Sequence, residues 1–119
     1  MSHTTRRLIL STLALAASSV FAAEPVVGLI TKTETNPFFV KMKEGAQAEA
    51  KKLGAKLLSA AGKTDGDTAG QITAIENMVA AGAKTILITS SGDAIVPTIK
   101  KVRAQGVQII ALDSPVPEA

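Results

Sequence analysis

Three short segments of this chain share one form, in which a glycine follows an amphipathic stretch and precedes a strand-like run. The segments are residues 53–58, 81–86 and 105–110, and their glycines are Gly54, Gly82 and Gly106. Glycine readily adopts the left-handed backbone conformation that ends many helices. Each segment therefore predicts the end of a helix joined to a β-strand. Their spacing of about 24 to 28 residues is close to that of a repeating βαβ unit.

Between these joints, the apolar residues mark alternating strands and helices. Near-continuous apolar runs predict buried parallel strands at residues 26–31, 55–60, 83–89 and 107–112. Apolar residues spaced three and four apart predict helices at residues 36–54, 67–81 and 94–105. The predicted inward side chains are Phe39, Met42, Ala46, Ala50 and Leu53 in the first helix, Ile72, Ile75 and Val79 in the second, and Ile95, Ile99 and Val102 in the third.

The alternation of elements predicts an α/β fold with a parallel β-sheet and helices on both faces, because such crossovers are right-handed. We expect the strand order 2-1-3-4, with the topological switch point between the first and third strands. The chain has no cysteine, so a hydrophobic core alone must stabilise a single domain over residues 23–119.

Residues 1–22 have the pattern of a secretory signal peptide. Arg6 and Arg7 precede an apolar run at residues 8–20, and Val20-Phe21-Ala22 suits cleavage by a signal peptidase. The run is shorter than the roughly 20 apolar residues that span a membrane, and an uncleaved anchor is the alternative. We therefore expect export to the periplasm and a domain that begins at residue 23.

The composition excludes several classes of function. Cleavage removes Arg6 and Arg7 and lowers the formal charge from +3 to about +1, so the basic balance does not indicate nucleic-acid binding. Cleavage also removes His3, which is the single histidine. Without histidine or cysteine, the domain lacks the usual nucleophilic machinery and the usual transition-metal ligands.

No cofactor motif accompanies the predicted strands. The first strand runs into Thr-Lys-Thr-Glu-Thr at residues 31–35 instead of a G-x-G-x-x-G dinucleotide fingerprint. Gly62-Lys63-Thr64 resembles the end of a phosphate-binding loop, but Leu57 stands where that motif requires glycine. We predict no cofactor, no metal and no catalytic residue. The group that comes closest to a carboxylate cluster is Asp65, Asp67 and Glu76. These residues suit helix capping and solvation better than a metal site.

Polar and aromatic residues follow the strands at one edge of the predicted sheet, because parallel strands all end at the same edge. The candidate ligand-binding residues are Lys32, Asn36, Phe38 and Phe39 after the first strand, Thr89 and Ser90 after the third, and Asp113 and Ser114 after the fourth. Aromatic rings, an amide, hydroxyls and a carboxylate suit a polyhydroxylated ligand, whose hydroxyls both donate and accept. Local roles stay open, since Asn36 could cap the first helix, Phe39 could belong to the core and Asp113 could cap a later element.

Four segments carry a resemblance to a known family. They are residues 27–30 in the first strand, residues 36–46, which begin with Asn-Pro-Phe-Phe, the third strand at residues 86–89, and residues 107–113, which end in aspartate. Together they resemble the N-terminal lobe of periplasmic sugar-binding proteins of ABC importers, the ribose-binding-protein-like group with the type I fold. Residues 67–77 look closer to the fructose and sugar-alcohol branch of that group. The resemblance implies a binding protein rather than an enzyme, a monosaccharide or sugar alcohol as ligand, and an ABC permease of the inner membrane as partner.

The resemblance also implies roles for individual residues. Phe38 and Phe39 match aromatic residues that sandwich the sugar ring. Asn36 matches an amide that binds a hydroxyl, and Asp113 matches the carboxylate that holds two sugar hydroxyls. Lys32 lies at a further binding position and could reach a hydroxyl of a ketose or polyol.

Two features depart from the family pattern. Thr89 stands where ribose binders have asparagine and Ser114 where they have arginine, which puts ribose itself in doubt. The chain also ends after the fourth strand, whereas these proteins have two similar lobes joined by a hinge, so we expect a truncated product or a fragment. The alternatives are a sugar-binding protein that serves a chemoreceptor or sensor kinase, and a small exported α/β enzyme that uses Glu34, Asp113, Ser90 or Ser91.

Overall fold

The computed structural model describes residues 23–117, in which strands and helices alternate as predicted. The predicted signal peptide at residues 1–22 lies outside the described residues. The strands are β1 (Val26–Thr31), β2 (Lys56–Ala61), β3 (Thr85–Ile88) and β4 (Gln108–Ala111). The helices are α1 (Pro37–Leu53), α2 (Thr68–Ala80) and α3 (Val96–Ala104), and a short 3₁₀ turn (Asp93–Ile95) precedes α3. Among residues 23–117, none of the helices has the length and apolar character needed to cross a membrane.

Several predicted boundaries are wrong by one or two residues. The third helix was predicted from residue 94, but Asp93–Ile95 form a 3₁₀ turn and the α-helix begins at Val96. Pro97 lies in its first turn, where the missing N–H leaves no intrahelical bond unmade. Strands β3 and β4 are shorter than predicted because Ala83 and Val107, although buried, belong to the connections that follow the helices.

The four strands form one parallel sheet in the order β2-β1-β3-β4, which confirms the predicted fold class and strand order. Gly28 of β1 lies between Leu58 of β2 and Ile86 of β3 in the register. The predicted glycine joints are also present. Gly54, Gly82 and Gly106 have φ angles of 69°, 94° and 89°, the left-handed conformation that ends each helix before the next strand.

The main hydrophobic core lies on the face of the sheet that packs against α2 and α3. Side chains alternate between the two faces of a strand, so Ile30, Ile86 and Ile88 all point to this face. They pack with Ile75 of α2 and Ile99 of α3, and all five are fully buried. The sequence prediction for α2 is only partly right. Ile75 is buried as expected, but Ile72 and Val79 are half-buried, and the centre of the helix face is taken by Gln71, Ala74 and Met78.

Helix α1 covers β1 and β2 on the opposite face. Phe39 is the buried residue of α1, and with Leu29 of β1 it lines a cavity of about 240 Å³. The predicted apolar stripe is wrong at Leu53, which is 70% exposed in the last turn of α1. On the same face, Leu87 of β3 is half-buried and Ile110 of β4 is exposed.

Helix α2 begins with a capped turn. The carboxylate of Asp67 accepts hydrogen bonds from the backbone N–H groups of Lys63 and Gly70, each at 2.9 Å. These bonds stabilise the charged form and hold the pKa of Asp67 below its ordinary value of 3.8, and the positive charge of Lys63 acts in the same direction. Asp67 therefore acts as a helix cap, the role that the sequence favoured.

Gly28 allows α2 to approach the sheet closely. A methyl group placed on Gly28 would lie 2.5 Å from Sδ of Met78 and 3.2 Å from Cγ1 of Ile86. We expect Gly28→Ala to lower the free energy of unfolding by about 1–3 kcal/mol in urea titrations, because the added carbon overpacks this contact.

Gly45 provides the matched control for this substitution. It lies within α1, and a methyl group placed on it meets nothing within 4 Å. Gly45→Ala should raise the free energy of unfolding by up to about 1 kcal/mol, since alanine favours the helix. Equal stability of the Gly28→Ala variant and the native protein would show that Met78 and Ile86 make room for the added carbon at little cost, and would contradict the expected overpacking.

Candidate functional site

The ends of β1, β3 and β4 lie side by side at one edge of the sheet. The backbone N–H of Thr89 donates to the carbonyl of Ile30 at 2.9 Å, and that of Leu112 donates to the carbonyl of Ile88 at 2.8 Å. The three following loops therefore begin on neighbouring strands. This edge, which we call the rim, consists of residues 32–36, 89–92 and 112–114, together with the first turn of α1. It includes the switch point of the sheet, where open α/β sheets bind ligands.

The first rim loop leads directly into the cap of α1. The hydroxyl of Thr31 donates to the carbonyl of Thr33 at 3.1 Å, and the hydroxyl of Thr33 accepts from the N–H of Asn36 at 3.3 Å. Oδ1 of Asn36 accepts from the N–H of Phe38 at 2.9 Å, so Asn36 is the N-cap and Pro37 is the first helical residue. Only the oxygen of the Asn36 amide takes part in the cap. Its NH₂ group does not take part and can donate two hydrogen bonds.

The two phenylalanines have different environments. Phe38 is 54% exposed at the rim, whereas Phe39 is 6% exposed and belongs to the core beneath α1. Their ring centroids are 5.3 Å apart and the rings are inclined at 74°, an edge-to-face pair. The family resemblance implied that both rings sandwich a sugar, but two nearly perpendicular rings cannot face each other across one. In this structure Phe38 offers an accessible aromatic face and Phe39 supports it from below.

The residues after β3 are buried at the floor of the rim. Thr89 is fully buried and Ser90 is 7% exposed. The hydroxyl of Ser90 donates to the carbonyl of Gly92 at 3.1 Å and accepts from the N–H of the same residue at 3.2 Å, so its bonding is local to the loop. The buried hydroxyl oxygens of Thr89 and Ser91 have no hydrogen-bond partner among residues 23–117. A buried hydroxyl without a partner costs about 1–3 kcal/mol, so a polar group that reached either of these hydroxyls would offset that cost.

The residues after β4 form a tight turn at the far end of the rim. Asp113 is exposed and has a φ of 61°, and the N–H of Ser114 donates to the carbonyl of Leu112 at 2.6 Å. Asparagine and aspartate are the non-glycine residues that most readily adopt this left-handed conformation. Asp113 caps no helix within residues 23–117. Ser114 and Lys32 are both half-buried.

The sequence prediction missed Gln71, which reaches the rim from below. Its side chain is fully buried although it is polar. The Nε2 group donates to the carbonyls of Thr31 at 3.2 Å and Thr89 at 2.8 Å, and Oε1 accepts from the N–H of Ser91 at 2.9 Å. Its position in the sequence, one helical turn before the buried Ile75, is the signal that could have identified it.

Comparison with known proteins identifies the family. Residues 27–119 match the periplasmic binding protein domain family. The chain belongs to this family. Its matched relatives are transport binding proteins rather than enzymes. One is the ribose import binding protein RbsB of Haemophilus influenzae, which is 34% identical over 102 residues, spanning 85% of this chain and 34% of that protein. Another is the D-apiose import binding protein of Actinobacillus succinogenes, 34% identical over 103 residues, or 85% of this chain and 33% of that protein.

A solved structure shows the same architecture. It is an ABC transporter periplasmic solute binding protein of Actinobacillus succinogenes with bound D-allose. The TM-score is 0.73 and the identity 29%, over 78% of this chain and 33% of that structure. This periplasmic binding protein domain thus spans about a third of the length of the relatives it matches. Their names refer to ribose, apiose and allose, and none of these three refers to fructose or a sugar alcohol.

Proposed function

We propose that residues 23–119 form the N-terminal lobe of the sugar-binding component of an ABC importer, exported to the periplasm after removal of residues 1–22. The observation that carries the proposal is the exposed ring of Phe38 at the switch point of a periplasmic binding protein fold. The match of residues 27–119 to this family, and relatives named as sugar import binding proteins, support it. In the complete protein, an ABC permease is the partner that receives the sugar.

The chemistry of the rim supports a monosaccharide or a sugar alcohol as ligand. The apolar C–H face of a sugar stacks on Phe38, and the hydroxyls at the ring edge bond to polar groups. Asp113 accepts hydrogen bonds from two neighbouring hydroxyls through its two carboxylate oxygens. The NH₂ group of Asn36 donates to a third hydroxyl. Lys32 and Ser114 lie at the margins of the same rim and contribute further hydrogen bonds.

We propose fructose or a polyol rather than ribose as the ligand, and two departures from the pattern of ribose binders support this choice. Thr89 and Ser114 replace the asparagine and arginine that the resemblance places in ribose binders. Both replacements are shorter and carry one hydroxyl, so they leave more room and offer fewer donors to the ligand. Ser90 is held by Gly92 and contributes through the shape of its loop as well as through its hydroxyl.

A titration followed by two-dimensional NMR tests this function. Ribose, allose, apiose, fructose, mannitol and sorbitol are each added to the purified protein. A single lobe encloses only part of a ligand, so we expect saturable shifts with a Kd of about 1 mM, equivalent to a binding free energy of about −4 kcal/mol. The shifts should include the backbone N–H groups of Phe38, Thr89 and Asp113. Absence of saturable shifts at the rim with all six compounds would contradict the proposal.

A further inference from the structure

The side chain of Gln71 connects two rim loops without belonging to either of them. It lies at the end of the first turn of α2, is fully buried, and makes hydrogen bonds of 3.2 Å, 2.8 Å and 2.9 Å to Thr31, Thr89 and Ser91. All three partners are main-chain atoms. A glutamine that served only to fill space in the core would be replaceable by an apolar side chain, but here such a side chain would leave the carbonyl of Thr89 and the N–H of Ser91 without these partners.

The bonds of Gln71 lie where the ladder between β1 and β3 ends. The last paired residues are Ile30 and Ile88, and the last ladder bond runs from the N–H of Thr89 to the carbonyl of Ile30. Beyond this point the two strands separate into their loops. The Nε2 group of Gln71 occupies the gap and bridges the carbonyls of Thr31 and Thr89, so the amide continues the connection between the strands.

We propose that Gln71 is a positioning residue for ligand binding, which fixes the loop after β1 relative to the loop after β3. The proposal rests on the proposed function, since it assumes that the rim binds a sugar. The loop after β1 leads to Asn36 and Phe38, and the loop after β3 begins with Thr89. The distance between these groups therefore depends on the amide of Gln71, although Gln71 itself does not touch the ligand.

The substitutions Gln71→Met and Gln71→Glu separate this role from simple packing. Methionine has a similar size and removes all three hydrogen bonds. We expect it to expose the N–H of Ser91 to faster hydrogen exchange and to weaken sugar binding about tenfold, because the loops are no longer held at the required spacing. The control is Val102→Ala, which opens a cavity in the buried core at α3 and destabilises the protein away from the rim. At a temperature where both variants are folded, Val102→Ala should bind sugar as the native protein does.

The pH dependence of Gln71→Glu provides a second readout, measured at a temperature where this variant is folded at both pH 7 and pH 5 so that loss of folding does not contribute. At neutral pH the glutamate carboxylate can accept from Ser91, but it repels the carbonyls of Thr31 and Thr89. The protonated carboxyl group of this glutamate has one O–H, which can donate to one of the two carbonyls. Burial raises the pKa of such a carboxyl group. We therefore expect sugar binding by Gln71→Glu to be weak at pH 7 and to recover at pH 5, whereas the native protein shows no such recovery.

The sugar affinity and the hydrogen exchange of Gln71→Met together show whether Gln71 positions the ligand-binding loops. Unchanged sugar affinity of Gln71→Met, with faster exchange at Ser91, would show that the bonds exist but do not position the ligand. Unchanged sugar affinity together with unchanged exchange at Ser91 would show that the hydrogen bonds of Gln71 do not form in solution either. If the native protein binds none of the sugars, the proposed function fails and the ligand role of Gln71 fails with it. The exchange of Ser91 then still reports whether Gln71 anchors the loop.

Discussion

Phe38→Ala should abolish detectable sugar binding while leaving the protein folded. The ring is 54% exposed, and in the proposed complex it supplies the aromatic surface on which the sugar stacks. Truncation of a central aromatic contact commonly costs at least about 2 kcal/mol of binding free energy, a weakening of about 30-fold. With a native Kd near 1 mM, binding by this variant would fall outside the range of the NMR titration.

The stability of the Phe38→Ala variant should change little. In the folded protein, the ring of Phe38 forms an edge-to-face pair with Phe39, and such a pair contributes about 0.5–1.5 kcal/mol to stability. The matched control is Leu53→Ala, which removes another exposed apolar side chain from the same helix, 70% exposed in the last turn. Leu53→Ala should bind sugar normally. Equal binding by the Phe38→Ala variant and the native protein would show that the sugar does not stack on this ring.

Asp113→Asn should weaken sugar binding by about 10- to 100-fold. The substitution removes the charge from the proposed acceptor of two sugar hydroxyls, and hydrogen bonds to charged groups contribute about 1.5–3 kcal/mol. Asparagine also adopts the left-handed conformation readily, so the backbone at φ 61° should be retained. The loss of affinity can then be assigned to the carboxylate and not to a rearranged turn.

Asp65→Asn is the control for Asp113→Asn. Asp65 is exposed in the loop between β2 and α2, which borders the rim but contains none of the candidate ligand-binding residues, and its substitution makes the same change in net charge. It should leave both the sugar affinity and the melting temperature unchanged. Parallel loss of affinity in the two variants would point to a general electrostatic effect and would contradict a direct bond from Asp113 to the ligand.

The sequence predicted the architecture well because local chemistry determines it. Gly54, Gly82 and Gly106 end their helices in the left-handed conformation, and Asn36 with Pro37 begins α1, as each local pattern indicates. The strand order follows from the connection rules for parallel sheets. The errors arose where tertiary packing decides. Leu53 continues an apolar stripe, but nothing among residues 23–117 covers it enough to bury it.

The candidate site was predicted in outline but not in detail. The sequence places the candidate residues after the correct strands, but the directions of their side chains depend on loop geometry. Phe38 and Phe39 are adjacent and chemically identical, yet one is exposed and the other buried. Ser90 bonds within its own loop, which no pattern indicated. Gln71 was overlooked because polar residues are usually assigned to the exposed side of a helix, and its partners are distant in the sequence.

The main-chain partners of Gln71 have a consequence for how the specificity of such a lobe can change. Because the amide bonds to backbone atoms of Thr31, Thr89 and Ser91, the side chains at these positions can be exchanged without removing an anchor. The framework that spaces the loops is thereby separated from the groups that recognise the ligand. A library randomised at residue 114 and varied among small side chains at the buried position 89, with Gln71 retained, should therefore yield many folded variants that differ in which sugar they prefer.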